Sequence, residues 1–163
     1  MENFKGDCRA SRVSGSSSYT SRWYRILLIR EFRAGARGVI LHLPSGTLEP
    51  GENPKDCASR ELEEETGYHP RSLEHLFQAY RAPSYSMELM HFFLATSLVR
   101  TGERRPEQDE IIKLEAVEPE RAFRMIASNE IRDEKSISAI SYLKAFWRLG
   151  GRTIQMGKSR NWG

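Results

Sequence analysis

Apolar and polar positions follow two different periods along the chain, and together these periods predict a mixture of strands and helices. Short apolar runs bounded by glycine, proline or polar residues predict strands at residues 23–32, 38–43, 73–81, 87–98 and 111–117. Helix-like spacing predicts helices at residues 54–66 and 119–127, and a last one after Asp133. In that last helix an apolar stripe predicts core positions at Ile137, Ile140, Leu143 and Trp147.

The strands and helices do not alternate regularly, which excludes a doubly wound parallel sheet and predicts the α+β class. A chain of 163 residues fits one domain with a sizeable core. Residues 1–22 have the composition of a flexible segment, and residues 150–163 form a basic tail without any acid. The domain is therefore expected at residues 23–149.

Charge and composition narrow the expected location and partners. The longest apolar runs, at residues 26–29 and 92–95, are too short to cross a bilayer, and the N-terminus lacks the apolar core of a secretory signal. Cys8 and Cys57 predict neither a disulfide framework nor metal-ligand spacing. We expect a cytoplasmic protein with no membrane partner. The net charge is a modest +3, and the basic tail is typical of a solvated segment, so no nucleic-acid partner is expected.

The helix predicted at residues 54–66 has clear end signals. Asn53 is a favourable N-cap residue, and Pro54 suits the first helical turn. Gly67 can adopt the left-handed conformation that ends a helix. These signals predict a helix of roughly three to four turns.

Glutamates crowd one side of this helix. At about 100° per residue, Glu61, Glu64 and Glu65 fall on one arc, whereas Glu63 faces elsewhere. Like charges at this spacing repel each other, and a divalent cation among them would remove the repulsion. Oxygen ligands without a histidine or cysteine cluster favour Mg²⁺, with Mn²⁺ as a substitute. The alternative is a solvated acidic helix face, which is the commoner meaning of an arbitrary acidic run.

The residues around the helix favour the cation site over a solvated acidic face, because they resemble the Nudix box of the Nudix hydrolase family. The matching positions are Gly46, Glu52, Arg60, Glu61, Leu62, Glu64, Glu65 and Gly67. Tyr68 departs from the pattern, since the family more often has an aliphatic residue there. The resemblance implies the Nudix fold, an α/β/α sandwich with a mixed sheet.

The resemblance also implies a metal site and a hydrolytic reaction. Glu61 and Glu65 correspond to the main metal ligands, and Glu64 to a residue that assists directly or through water. The backbone carbonyl of Ser45 completes the ligand set. Cations held in this way can neutralise phosphates, activate water and stabilise a leaving phosphate.

Further acidic and basic residues have implied supporting roles. Glu52 and Arg60 correspond to residues that orient the loop and the helix. A second acidic cluster lies in the polar loop at residues 101–110, and its alternative interpretation is a solvated surface loop. In the branch that cleaves ADP-ribose, an acidic loop at this place supplies the general base, which implies Glu107 as the base and Asp109 as a metal ligand.

Several other stretches resemble the ADP-ribose pyrophosphatase branch of the family. They are R-E-F-R at residues 30–33, L-H-L-P-S-G at residues 41–46 and D-E-K-S-I at residues 133–137. Pro83 lies sixteen positions after Gly67, where that branch has a proline. With these stretches the resemblance covers most of the chain, from residue 26 to residue 149.

This branch implies an Mg²⁺-dependent hydrolase that splits the pyrophosphate of ADP-ribose or a related nucleoside diphosphate sugar. Arg30 and Arg33 are candidate phosphate contacts, because guanidinium groups suit phosphate oxygens. Glu88 is a candidate for the metal site or the sugar. Phe32 could flank the adenine, although its expected place is the core. The alternatives are Nudix activity on nucleoside triphosphates, dinucleoside polyphosphates or capped RNA, and a nucleotide-sensing module without catalysis.

Two residues depart from the pattern of this branch. Glu31 stands in place of the usual glutamine, and His42 in place of a glutamate. His42 is expected to be a strand residue with a satisfied hydrogen bond and no role as a ligand. The branch implies a homodimer built partly by N-terminal strands, for which only about twenty residues are present before the first predicted strand.

Overall fold

The computed structural model describes residues 6–11, 13–14, 24–102 and 113–147, and the side chains of residues 25–102 and 113–146. Eight strands lie in these residues: β1 (Gly6–Ser11), β2 (Val13–Ser14), β3 (Tyr24–Arg33), β4 (Gly38–His42), β5 (Ser45–Thr47), β6 (Tyr68–Tyr80), β7 (Leu89–Arg100) and β8 (Lys113–Val117). The α-helices there are α1 (Pro54–Thr66), α2 (Pro119–Ala127) and α3 (Glu134–Tyr142). The α+β class is confirmed.

The strands form two sheets. In the first sheet the order is β5-β1-β7-β6, and β1 runs parallel to β7 while the other neighbours are antiparallel. In the second sheet β3 pairs with β2, β4 and β8. The first sheet is therefore mixed, and the β3–β4 hairpin is the centre of the second.

Two apolar clusters hold these layers together. The larger cluster joins both sheets to the last two helices, with Leu28, Leu41, Phe92, Met125 and Ile140 among its buried members. The smaller cluster packs α1 on the first sheet and contains Cys57, Ala58, Leu62, Phe93 and Ala95. Because α1 buries this apolar stripe, its glutamates are left on the adjoining faces.

The end signals of helix α1 are confirmed. Asn53 has extended backbone angles, and its side chain accepts a hydrogen bond from the N–H of Lys55. Pro54 is the first helical residue. Gly67 has φ +72° in the left-handed region, and its N–H donates to the carbonyl of Glu63.

The structure differs from the prediction in its short strands, which pair with strands that are distant in the sequence. Strands β1, β2 and β5 have no clear apolar alternation, and β1 and β2 lie within the segment for which composition predicts flexibility. Strand β6 begins at Tyr68, five residues earlier than predicted, and includes Pro70. Proline is tolerated there because β6 is the edge strand of its sheet.

The predicted core positions of the last helix are partly confirmed. Ile140 is fully buried, whereas Ile137 and Leu143 are half-buried. Helix α3 ends at Tyr142 and continues as a π-helical turn over Leu143–Trp147, and the side chain of Trp147 lies outside the described residues. The expectation that Phe32 belongs to the core is wrong: it is 62% exposed, and it lies near the turn that connects β3 to β4.

Cys57 corrects a second expectation. Its side chain is fully buried and disulfide-bonded, whereas the sequence predicted no disulfide framework. The prediction failed because it did not include strand β1, which packs beside α1, the helix that contains Cys57. The cytoplasmic location, which partly depended on unpaired cysteines, stays a prediction. Within the described residues, the helices are too short or too polar to cross a bilayer.

Ser136 links helix α3 to the segment after β4, and this link leads to a prediction on stability. Its buried hydroxyl accepts from the N–H of Leu43 at 2.8 Å and donates to Asp133. Ser136→Ala leaves the Leu43 N–H without its partner, which costs about 1–3 kcal/mol of unfolding free energy. We expect urea denaturation to show this loss, with Ser138→Ala, on the exposed side of the same helix, as the control. Equal stability of both variants would contradict the link.

Candidate functional site

The glutamates of α1 lie as the helical spacing predicts. Glu61 and Glu64 both accept hydrogen bonds from Arg60, so their carboxylates share one side of the helix. Glu63 instead lies 2.9 Å from Nδ1 of His69, on an exposed face. The helix therefore separates Glu63 from the acidic arc.

Glu65 is hydrogen-bonded to the first residue of strand β5. Its Oε2 accepts a hydrogen bond from the N–H of Ser45 at 2.8 Å. Burial raises the pKa of Glu65 to about 8, the Ser45 hydrogen bond opposes this rise, and the charge of Glu61 adds to it. A buried carboxylate beside another carboxylate is a place where a cation is favourable.

Gly46 lies directly against Glu61. A Cβ atom at position 46 would overlap the carboxyl group of Glu61, so only glycine leaves room for that side chain. Burial raises the pKa of Glu61, and the charge of Arg60 opposes the rise. At Ser45 and Gly46 the backbone of strand β5 thus lies next to both Glu65 and Glu61.

Arg60 is the cationic centre of the acidic arc. It binds Glu52 with two hydrogen bonds, from Nε at 2.9 Å and from Nη2 at 3.0 Å. Its Nη1 donates to Glu61 at 2.8 Å and to Glu64 at 3.1 Å. The hydrogen bond with Glu52 is the main reason that the pKa of Arg60 is raised, and the same bond lowers the pKa of Glu52. Arg60 therefore fixes the loop before α1 to the acidic face of the helix.

The donor set fits a divalent cation in its chemistry. Glu61, Glu64 and Glu65 supply carboxylate oxygens within one helix face, and Ser45 is held beside them by its own N–H. Among the described residues no three histidine, cysteine or acidic side chains converge on one point, since Arg60 lies at Glu61 and Glu64 while Glu65 turns to Ser45. An ion here would take the carboxylate oxygens that Arg60 and Ser45 now contact.

The two arginines predicted as phosphate contacts have separate surroundings. Arg30 forms ion pairs with Glu115 at 3.0 Å and with Glu130 at 3.6 Å. Nη2 of Arg33 forms an ion pair with Oε2 of Glu31 at 2.8 Å, and the Arg33 side chain is 43% exposed. Three residues apart on one strand, they point to opposite faces of the sheet, so the structure does not bring them together.

The hairpin between β6 and β7 carries the next two predicted residues. Pro83 is exposed in this hairpin. Glu88 accepts two hydrogen bonds from Nη1 of Arg81, at 3.2 and 3.0 Å. This contact joins the two ends of the hairpin, and the role of Glu88 toward a metal or a sugar stays a prediction.

Residues 103–110 of the predicted acidic loop lie outside the described residues. Glu107, Asp109 and Glu110 all belong to it, so the roles of Glu107 as base and Asp109 as ligand stay predictions. A surface cleft of about 270 Å³ does lie in the described part, and Lys55, Asp56 and Arg71 are among its lining residues. It lies at the first turn of α1 and contains none of the predicted site residues.

Sequence reasoning missed a buried pair next to the site. Glu31 and His42 are 4% and 2% exposed, and Nε2 of His42 lies 2.9 Å from Oε2 of Glu31. The expectation that His42 is a satisfied strand residue is confirmed, but its partner was not predicted. The hairpin register was the available signal, because the pairing of Ile29 with His42 puts Glu31 and His42 on one face.

Comparisons with known proteins agree with this geometry. A family model described as the NUDIX domain matches residues 19–140. An ADP-ribose pyrophosphatase of Bacillus subtilis is 37% identical over 121 residues, which cover 74% of this chain and 65% of the relative. A GDP-mannose pyrophosphatase of Yersinia enterocolitica is 33% identical over 125 residues, covering 72% of this chain and 65% of the relative. The matches thus span slightly less than two thirds of these relatives.

A solved structure supports the fold. The chain is similar to a crystal structure of an ADP compounds hydrolase with a TM-score of 0.76 and 21% sequence identity, over 91% of this chain and 76% of the other. The family model, the relatives and the motif on α1 agree on one assignment. The chain belongs to the Nudix family.

Proposed function

We propose that the protein is an Mg²⁺-dependent hydrolase that splits the pyrophosphate of ADP-ribose or a related nucleoside diphosphate sugar. With ADP-ribose the products are AMP and ribose 5-phosphate. The observation that carries the proposal is the start of strand β5 at Ser45 and Gly46, which packs against Glu65 and Glu61 of the acidic arc. A solvated acidic face has no need of such a contact.

The residues that would hold the cation lie on helix α1 and at the start of strand β5. Glu61 and Glu65 are the main ligands, the Ser45 carbonyl is a third, and Glu64 assists directly or through water. When bound, the cation neutralises the diphosphate and makes loss of a proton from the attacking water easier. Mn²⁺ can take the same oxygen ligands.

The protein's own groups then direct the reaction. Arg60 and Glu52 keep the acidic helix and the preceding loop in fixed positions. A carboxylate of the acidic loop, for which Glu107 is the candidate, takes the proton of the attacking water, and Asp109 is a further ligand candidate. Water adds to one phosphorus atom, and the bridging oxygen leaves with the other phosphate.

The substrate class is supported by the names of the relatives. Those reported above are an ADP-ribose pyrophosphatase and a GDP-mannose pyrophosphatase, and both names describe a nucleoside diphosphate sugar. Arg33, half-exposed beside the site, is the better placed of the two candidate arginines for a phosphate. Pro83 and Glu88 belong to the hairpin proposed to border the sugar. The homodimer and the cytoplasmic location stay predictions.

A substrate panel tests the proposal. Purified protein is incubated with ADP-ribose, GDP-mannose, ATP, a dinucleoside tetraphosphate and a capped RNA, with Mg²⁺ or with EDTA, and the products are separated by chromatography. We expect the highest kcat/KM on a nucleoside diphosphate sugar, loss of activity with EDTA, and recovery with excess Mg²⁺.

Two results would contradict the proposal in different ways. A higher kcat/KM on the triphosphate, the dinucleoside tetraphosphate or the capped RNA would move the activity to another Nudix substrate class. Binding of ADP-ribose in calorimetry without any AMP above background, with either Mg²⁺ or Mn²⁺, would favour a sensing module.

A further inference from the structure

A continuous set of contacts, one ion pair and two hydrogen bonds, joins Arg33 on β3 to the end of β4. Nη2 of Arg33 forms an ion pair with Oε2 of Glu31 at 2.8 Å, and the same oxygen lies 2.9 Å from Nε2 of His42. The other ring nitrogen of His42, Nδ1, lies 2.9 Å from the carbonyl oxygen of Leu43. Because a carbonyl oxygen only accepts, Nδ1 donates the hydrogen in this contact.

Stability alone does not account for this arrangement. Glu31 and His42 are almost fully buried, and burying a charge is costly even when it is paired. Apolar residues of similar volume are often as stable as a buried ion pair. A functional role is therefore indicated by the groups at the two ends of this set of contacts, because each end lies at the candidate site.

The first end is the guanidinium of Arg33. Its side chain is 43% exposed, and within the described residues Glu31 is the acid it contacts. Among the residues that the structure describes, its other N–H groups can therefore reach a further acceptor. Besides burial, the charges of Glu31 and Arg33 also act on the pKa of Glu65, the first raising it and the second lowering it. Glu31 also contacts His42, and Glu65 binds Ser45 three residues further along the chain, so Glu31 and Arg33 lie near the acidic arc.

The second end is the backbone that leads to the metal site. His42 holds the carbonyl of Leu43, and Ser136 holds the N–H of the same residue at 2.8 Å. Two residues later, the N–H of Ser45 is held by Glu65. Three hydrogen bonds within residues 43–45 leave this backbone little freedom.

We propose that Glu31 and His42 are positioning residues: Glu31 holds the Arg33 guanidinium toward the substrate phosphates, and His42 holds the backbone that carries the Ser45 carbonyl toward the metal. This inference rests on the proposed function, which it deepens at the same site. The two residues act through Arg33 and Ser45, and neither one contacts the substrate.

The first test is Glu31→Gln. The amide keeps the shape of the side chain but removes the carboxylate that orients Arg33. Because Arg33 would hold the substrate equally in the ground state and the transition state, KM for ADP-ribose should rise about tenfold while kcat stays within about twofold. Glu74→Gln, exposed on β6, is the control and should match the wild type in both constants. A merely structural loss would lower kcat at unchanged KM.

The second test compares two amides at position 42 in metal-free protein. In His42→Gln the amide nitrogen takes the place of Nε2, which keeps the Glu31 contact and frees the Leu43 carbonyl. In His42→Asn it takes the place of Nδ1 and keeps the Leu43 contact. We expect Mn²⁺ titration, followed by electron paramagnetic resonance, to give a dissociation constant raised about tenfold in His42→Gln and unchanged in His42→Asn.

The outcomes separate this inference from the proposed function. If the wild type hydrolyses ADP-ribose but Glu31→Gln keeps its KM and His42→Gln keeps its Mn²⁺ affinity, the positioning roles are wrong. If the wild type does not hydrolyse ADP-ribose, the proposed function fails. The role of Glu31 is then tested by the affinity of Glu31→Gln for ADP-ribose, measured by calorimetry in place of KM. Should Glu31→Gln fail to fold, Glu31→Asp, with its carboxylate drawn back by one methylene, must give the same rise.

Discussion

Glu65→Gln is expected to lower kcat on the preferred nucleoside diphosphate sugar by roughly three orders of magnitude, because an amide is a much poorer cation ligand than a carboxylate. The same change should leave the fold intact. The amide oxygen can still accept from the N–H of Ser45, and it replaces a carboxyl whose pKa burial raises to about 8. We expect the melting temperature of the metal-free protein to stay equal or to rise, and the Mg²⁺ dependence of the remaining activity to weaken.

Glu63→Gln is the matched control for this change. It removes a charge from the same helix, two residues away, but on the face that meets His69. Its kcat should stay within about twofold of the wild type, as for surface substitutions in general. Equal losses of kcat in the two variants would show that the helix faces are assigned wrongly.

Gly46→Ala should cause the second large loss. The added methyl would overlap the carboxyl group of Glu61, and that flexible side chain is the part that can move away. Since the displaced group is a candidate ligand, we expect kcat/KM to fall by about two orders of magnitude while the melting temperature falls by only a few degrees.

Gly35→Ala is the control for the glycine substitution. A Cβ at position 35 meets no atom within 4 Å, and the residue lies in the turn between β3 and β4. Its kcat/KM should equal that of the wild type. If Gly46→Ala keeps full activity, the Glu61 carboxylate has no fixed position in the reaction and the site is wrong.

Local signals were sufficient for helix α1 and its acidic arc. Asn53 and Gly67 fix its ends through hydrogen bonds to residues close to them in the sequence, so both ends can be predicted from the sequence alone. The separation of Glu63 from Glu61 and Glu64 follows from helical spacing alone. In the same way, apolar runs predicted most of β3, β4 and β7.

Nonlocal pairing explains most of what the sequence did not predict. Strand β1 owes its conformation to β5 on one side and β7 on the other, far along the chain, and its own residues have little strand preference. The contact between Glu31 and His42 likewise depends on the β3–β4 register. Glu31 and His42 both depart from the family pattern in sequence, and in the structure their side chains are in contact.

The acidic arc as a cation site is the central claim, and a crystal structure with Mn²⁺ and a non-hydrolysable ADP-ribose analogue tests it most directly. The anomalous signal of Mn²⁺ locates the ion independently of the surrounding atoms. We expect an ion bound by carboxylate oxygens of Glu61 and Glu65 and by the carbonyl oxygen of Ser45, with diphosphate oxygens in the remaining positions. An ion elsewhere, or an analogue bound with no ion and with Glu61 and Glu65 in solvent, would contradict the claim.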